Sequence, residues 1–155
     1  MIIIGYQGIG KSTLSKKDDI YIDLESSNFW YDHGNNKLER DNLWYLPYCN
    51  VAEDLSKQGY IVFVSSHKEV RDRLKQSKEK VIAIVPSIKL KDEWIDKLNY
   101  RYVMSGLDKD YKALMNAKQR YINNINEIKE DIPFYIELTT MSYDLNKVIK
   151  NINNF

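Results

Sequence analysis

The chain has little of what marks most specialised protein classes. Cys49 is the single cysteine among 155 residues, so no disulfide can form within the chain. A reducing, cytoplasmic setting is the expectation. Cys49 lies beside the aromatic stretch Trp44-Tyr45-Leu46-Pro47-Tyr48 with no basic neighbour, which suits a buried structural thiol better than a nucleophile. Charge of one sign is missing too: 23 basic against 22 acidic residues leave a formal charge of +1. No global field therefore steers the chain towards nucleic acid or an anionic membrane. No apolar run approaches the roughly 20 residues that span a bilayer. An apolar strand that starts at Met1 leaves no room for a targeting segment, so neither membrane insertion nor export is expected. Proline occurs three times, and no linker, repeat or low-complexity tract interrupts the chain. The length suits one compact domain over residues 1–155.

Glycine is scarce as well, at six residues, yet three of them cluster as Gly5, Gly8 and Gly10. They sit in Gly5-Tyr6-Gln7-Gly8-Ile9-Gly10-Lys11-Ser12, a complete match to the phosphate-loop pattern G-x-x-x-x-G-K-[ST]. The flanks suit it: Met1 to Ile4 is an apolar, β-branched run that predicts a buried strand, and a helix can open at Lys11. Such a loop cradles phosphate with backbone N–H groups at a helix N-terminus, and glycines let the backbone approach without a Cβ in the way. The reading makes Gly5, Gln7, Gly8, Ile9, Gly10, Lys11, Ser12 and Thr13 the nucleotide-binding set. Lys11 supplies charge to the terminal phosphates, and the Ser12 hydroxyl is placed to ligate Mg²⁺. ATP and Mg²⁺ are the implied cofactors.

Five segments read as strands: Met1–Gly5, Ile20–Leu24, Tyr60–Ser65, Lys80–Val85 and Phe134–Leu138. Four are continuous apolar runs rather than alternations, the pattern of parallel strands covered on both faces. Helical patterns fill the gaps over Lys11–Lys17, about Asp41–Lys57, His67–Ser77, Lys91–Met104, Lys109–Lys129 and about Tyr143–Ile152. Strand and helix in alternation predict a three-layer α/β/α sandwich on a five-stranded parallel sheet, the P-loop NTPase fold. The connection Ser26–Arg40 is polar and longer than routine, and it leaves the carboxyl edge of the sheet, where ligands bind in open α/β folds.

These features resemble the nucleoside-monophosphate-kinase-like group of P-loop proteins, which includes adenylate, shikimate and gluconate kinases. Three stretches carry the likeness beside the loop itself. Ile22-Asp23-Leu24-Glu25-Ser26-Ser27 resembles the acidic segment that such kinases place near acceptor and Mg²⁺. Ser65-Ser66-His67-Lys68-Glu69-Val70-Arg71 is similar to their small-residue turn and following helix ending in arginine. Glu93-Trp94 and, further on, Arg101 stand where they carry a lid helix with arginines. The same combination resembles small phage and bacterial proteins described as nucleotide kinases.

The candidates then sort by role. Asp23, at the end of an apolar strand on the phosphate-loop edge, can accept a proton from an acceptor hydroxyl or hold a Mg²⁺-bound water. Glu25 projects the same way two residues on. Arg40 can clamp an acceptor phosphate bidentately, and a solvated helix-start residue is the equal alternative. Ser65 can hydrogen-bond Lys11 or a metal-bound water, His67 can orient substrate, and Arg71 lies one turn further on the same face; each has a structural reading beside it. Arg101 is the lid candidate for stabilising charge on the transferring phosphoryl group, with Lys97, Lys118 and Arg120 as competitors. Val64-Ser65-Ser66-His67 lacks the aspartate that closes a Walker B strand, which argues against a motor-type ATPase.

The leading functional expectation is a small-molecule phosphotransferase with Lys11, Asp23 and Arg101 as catalytic residues, and a nucleoside monophosphate as the first acceptor to consider. The alternative is a nucleotide-binding switch or slow ATPase acting on a protein partner. A nucleic-acid-stimulated ATPase ranks third, because neutral charge and small size weigh against it. A monomer or homodimer is expected.

Overall fold

The computed structural model describes residues 1–30 and 41–152. β1 (Ile2–Gly5), β2 (Tyr21–Asp23), β3 (Ile61–Val64), β4 (Val81–Pro86) and β5 (Tyr135–Leu138) form one all-parallel sheet in the order β2-β3-β1-β4-β5. The register sets Ile3 beside Phe63 on one side and Ile82 on the other. All three side chains are fully buried. That is why these strands read as unbroken apolar runs: helices cover both faces, so neither face needs polar residues.

Six helices accompany the strands: α1 (Lys11–Lys17), α2 (Tyr45–Lys57), α3 (Lys68–Leu74), α4 (Lys91–Ser105), α5 (Asp108–Asp131) and α6 (Leu145–Ile152). The step from β1 to β2 runs one way across the sheet, and every later step runs back. Right-handed crossovers therefore put α1 on the opposite face from α2, α3 and α5, which gives the three-layer α/β/α sandwich. The strand order also places β1 at the centre with β3 beside it, so the loops after β1, β2 and β3 meet on one edge.

Strand bounds agree with the apolar runs to within a residue at each end. Two helix starts move, each because an aspartate intervenes. Asp41 makes a turn of its own: Leu43 N donates to Asp41 Oδ1 at 2.9 Å and Trp44 N to Asp41 O at 3.2 Å, so α2 opens only at Tyr45. Asp144 Oδ1 accepts from Lys147 N at 3.2 Å and caps α6, which leaves Tyr143 outside that helix. The Ser26–Arg40 connection opens with a 3-10 turn over Ser26–Phe29. Its later part, Arg40 included, lies outside the described residues. Cys49 is buried in the core, and burial pushes its thiol up to about 12. Among the described residues, no helix is long and apolar enough to cross a membrane.

Candidate functional site

The loop from Gly5 to Lys11 turns sharply between β1 and α1, with φ +89° at Gly8 and +107° at Gly10. Only glycine adopts such angles without strain. The first α1 bond runs from Leu14 N to Gly10 O at 3.1 Å, so the amides of Lys11, Ser12 and Thr13 precede any helical acceptor. Gly10, the residue before the helix, caps them with no side chain. A concave strip of donors results, the arrangement that suits an anion.

Close packing holds this shape from behind. A Cβ on Gly8 would lie 3.1 Å from Leu98 Cδ2 and 3.2 Å from Trp94 Nε1, and one on Gly5 would fall 2.7 Å from Ile9 Cδ1. Gly8→Ala therefore combines backbone strain with crowding. It is expected to cost about 1–3 kcal/mol in a denaturant titration. At Gly10 a Cβ would meet nothing nearer than Leu145 Cδ2 at 3.8 Å, so Gly10→Ala carries the strain alone and should cost less.

The loop forms one wall of an open cleft of about 1620 Å³. The loop set through Thr13, then Asp23, Glu25, Ser65, His67, Arg71 and Arg101 all line this same cleft, as do Lys97 and Arg120 among the competing lid candidates; Lys118 does not. The cause is topological, since the carboxyl ends of β1, β2 and β3 face one edge. Helices α4 and α5 form the far wall.

Lys11 and Asp23 carry the electrostatics. Lys11 Nζ donates to Gly5 O at 3.2 Å, folded back over its own loop. Burial depresses its basicity below the ordinary lysine range, Asp23 and Glu25 oppose that, and Arg101 adds to it. Burial likewise lifts the Asp23 carboxyl above its ordinary range, with Lys11 opposing. Asp23 makes no side-chain hydrogen bond to another described residue. An ammonium and a carboxylate, each desolvated and neither spent on a close ion pair, mark a site prepared for something else.

The remaining candidates differ in how far they are engaged. Glu25 lies 3.9 Å from Lys109 Nζ and accepts from Ser27 Oγ at 3.3 Å. Arg101 Nε pairs at 2.9 Å with Asp110, a buried carboxylate on α5. Asp110 thus fixes the guanidinium at the cleft wall by its Nε edge. Ser65 N donates to Tyr48 Oη at 2.9 Å, Tyr48 Oη donates to Leu24 O at 2.7 Å, and so the ends of β2 and β3 are tied together. Ser65 Oγ meets His67 Nδ1 at 2.8 Å, and the His67 ring stands edge-on to Trp44 at 5.2 Å and Trp30 at 6.2 Å. Arg71 is 4% exposed and already engaged: Nε donates to Asp131 at 3.0 Å, Nη1 to Ser66 O at 3.1 Å, and Glu127 stands 3.6 Å away. Its charge ties α3 to α5.

Ser12 and Asp23 are the residues that would hold Mg²⁺. Among the described residues no group of three His, Cys, Asp or Glu side chains gathers around a metal position. Ser12 and Asp23 are oxygen donors lining one cleft, the ligand type that Mg²⁺ takes. No sequence pattern signals Lys109 as a neighbour of Glu25 or Tyr143 as a neighbour of the loop. Tyr143 Oη donates to Ile9 O at 2.8 Å across 134 positions of chain, and no local pattern signals such a contact.

Sheet order and helix layers define a three-layer α/β/α fold on a five-stranded parallel sheet. Among solved structures, the Deinococcus radiodurans tunicamycin resistance protein shares it with TM-score 0.59 and 14% identity, over 99% of this chain and 93% of that one. An uncharacterised protein from Eubacterium ventriosum is 12% identical over 99% of this chain and 98% of that one, with TM-score 0.47. No protein-family model and no curated protein matches the chain.

Proposed function

We propose that the chain is an ATP-dependent small-molecule phosphotransferase, with a nucleoside monophosphate as the acceptor class to test first. One observation carries the reading. The glycine loop and Lys11 lie in the same cleft as a desolvated, unpaired Asp23, so a phosphate grip and a proton acceptor share one space. The cleft volume of about 1620 Å³ exceeds the roughly 300–1,000 Å³ that a single drug-sized ligand needs, which supports two substrates side by side.

In this reading the loop amides and Lys11 hold the β- and γ-phosphates. The Ser12 hydroxyl and Asp23 hold Mg²⁺, which when bound neutralises charge on the phosphates. Where the acceptor attacks through a hydroxyl, Asp23 also takes its proton; a nucleoside monophosphate attacks through a phosphate oxygen that is already ionised, and there Asp23 serves the metal alone. Arg101, steadied by Asp110, faces the charge that spreads over the transferring group. Positioning and charge neutralisation do most of the work in such transfers. Trp30 and His67 line the cleft beside Ser65, and their rings suit a planar acceptor base.

Coupled ADP release tests this across nucleoside monophosphates, nucleosides, small hydroxylated metabolites and tunicamycin. An acceptor-dependent rate is expected. A folded, ATP-binding protein that responds to none of them would sink the transferase reading.

The second reading, a nucleotide-binding switch acting on a protein partner, draws on the α4–α5 elbow. Tyr100, Val103 and Met104 are each about two-thirds exposed there. Nucleotide-dependent association in light scattering would favour it.

A further inference from the structure

Two carbonyls of the glycine loop are held by side chains far along the chain. Trp94 Nε1 donates to Gln7 O at 2.9 Å, and Tyr143 Oη donates to Ile9 O at 2.8 Å. No peptide bond of the described chain is cis. In a planar trans peptide the C=O and the following N–H point in opposite directions. Fixing Gln7 O therefore fixes Gly8 N–H, and fixing Ile9 O fixes Gly10 N–H, each aimed away from the clamping side chain. Both glycines line the cleft, and neither amide donates to another described residue.

A third residue sets the polarity of the clamp. Lys97 Nζ lies 3.1 Å from Tyr143 Oη, 4.5 Å from the Trp94 ring centroid and 5.2 Å from that of Tyr143. An ammonium only donates, so it occupies the acceptor side of the phenol and leaves the phenolic proton for Ile9 O. The Trp94 and Tyr143 rings stack at 6.2 Å with 13° between planes, and Lys97 caps the pair.

We infer that Trp94, Lys97 and Tyr143 are positioning residues that preset the Gly8 and Gly10 amides for phosphate. The need is physical. Glycines at these two positions are free to rotate their peptides, and an unclamped loop would populate orientations in which a carbonyl faces the anion. Holding the carbonyls lets the loop meet phosphate without reorganisation. Lys97 is thereby a clamp component rather than a phosphate ligand. The inference rests on the proposed phosphate site.

Tyr143→Phe and Trp94→Phe separate the two carbonyls. Each keeps an aromatic ring and deletes one donor. Titration calorimetry with inorganic pyrophosphate is expected to show about tenfold weaker binding for each variant than for the unmodified chain. In ¹⁵N-labelled protein, Tyr143→Phe should broaden or split the Gly10 amide resonance and Trp94→Phe the Gly8 resonance, each leaving the other sharp. General destabilisation would not sort the two glycines that way. Trp94 is fully buried, so should Trp94→Phe fail to fold, Tyr143→Phe alone decides. Pyrophosphate affinity within about twofold, with both glycine amides undisturbed, overturns the clamp. An unmodified chain that ignores pyrophosphate overturns the phosphate site instead, and the glycine resonances still judge the clamp by themselves.

Discussion

Lys11→Met is expected to cut phosphoryl transfer by about 10²–10³-fold, the scale on which preorganised charge acts on a transition state. ATP binding should weaken alongside, because a charge-assisted contact to phosphate is worth about 1.5–3 kcal/mol. Stability should hardly change. In the ligand-free chain the ammonium is desolvated, depressed in basicity and, among the described residues, bonded only to Gly5 O at 3.2 Å. Methionine loses that one bond but also removes a poorly solvated charge, and the two effects oppose. Large loss of function at nearly constant unfolding midpoint is the signature of a group kept for its ligand. Turnover assays and chemical denaturation on the same preparation measure both. Unimpaired ATP binding and turnover in Lys11→Met would remove the lysine from the site.

With a hydroxyl acceptor, Asp23→Asn should lower kcat by about 10²–10⁴-fold, and Mg²⁺-dependent ATP binding should weaken with it because Asp23 also holds the metal. The pH profile adds a sign. Burial raises the Asp23 carboxyl above its ordinary value, and Lys11, Lys109 and Arg101 only partly oppose this. The active carboxylate form is therefore lost on acidification at a higher pH than for a solvated aspartate. In the metal-free chain the Asp23 carboxyl resonance should titrate above the ordinary aspartate range, and that titration should be missing from the Asn variant. For folding the sign is reversed. A carboxyl with a raised folded-state pKa favours the folded protein when protonated, so its contribution to stability declines as pH rises. Asn, always neutral, should leave the fold as stable or more so at neutral pH. An Asp23→Asn enzyme with full kcat on hydroxyl acceptors would show that Asp23 is no base.

The strands were legible because burial on both faces leaves an unambiguous run, as in Ile2–Gly5 and Val81–Pro86. The turn at Gly8 and Gly10 was equally legible, since few residues but glycine tolerate those angles. Helix starts were less so. Asp41 and Asp144 are short acceptors that can hold a turn or cap a helix, and only the fold decides which residue opens α2 and α6. Arg71 shows a further limit. The sequence places it near the cleft, but its engagement depends on Asp131 and Glu127, far along the chain on α5. Trp94 and Tyr143 illustrate the same point for the loop: their partners are backbone carbonyls, which carry no sequence signal.

A crystal structure with a non-hydrolysable ATP analogue and Mg²⁺ tests the phosphate site most directly. The triphosphate should rest on the amides of Gly8, Gly10, Lys11 and Ser12, with Lys11 Nζ released from Gly5 O towards the phosphates and open volume left beside Asp23. An analogue bound elsewhere, or a glycine loop with no phosphate in it at saturating nucleotide, would contradict it.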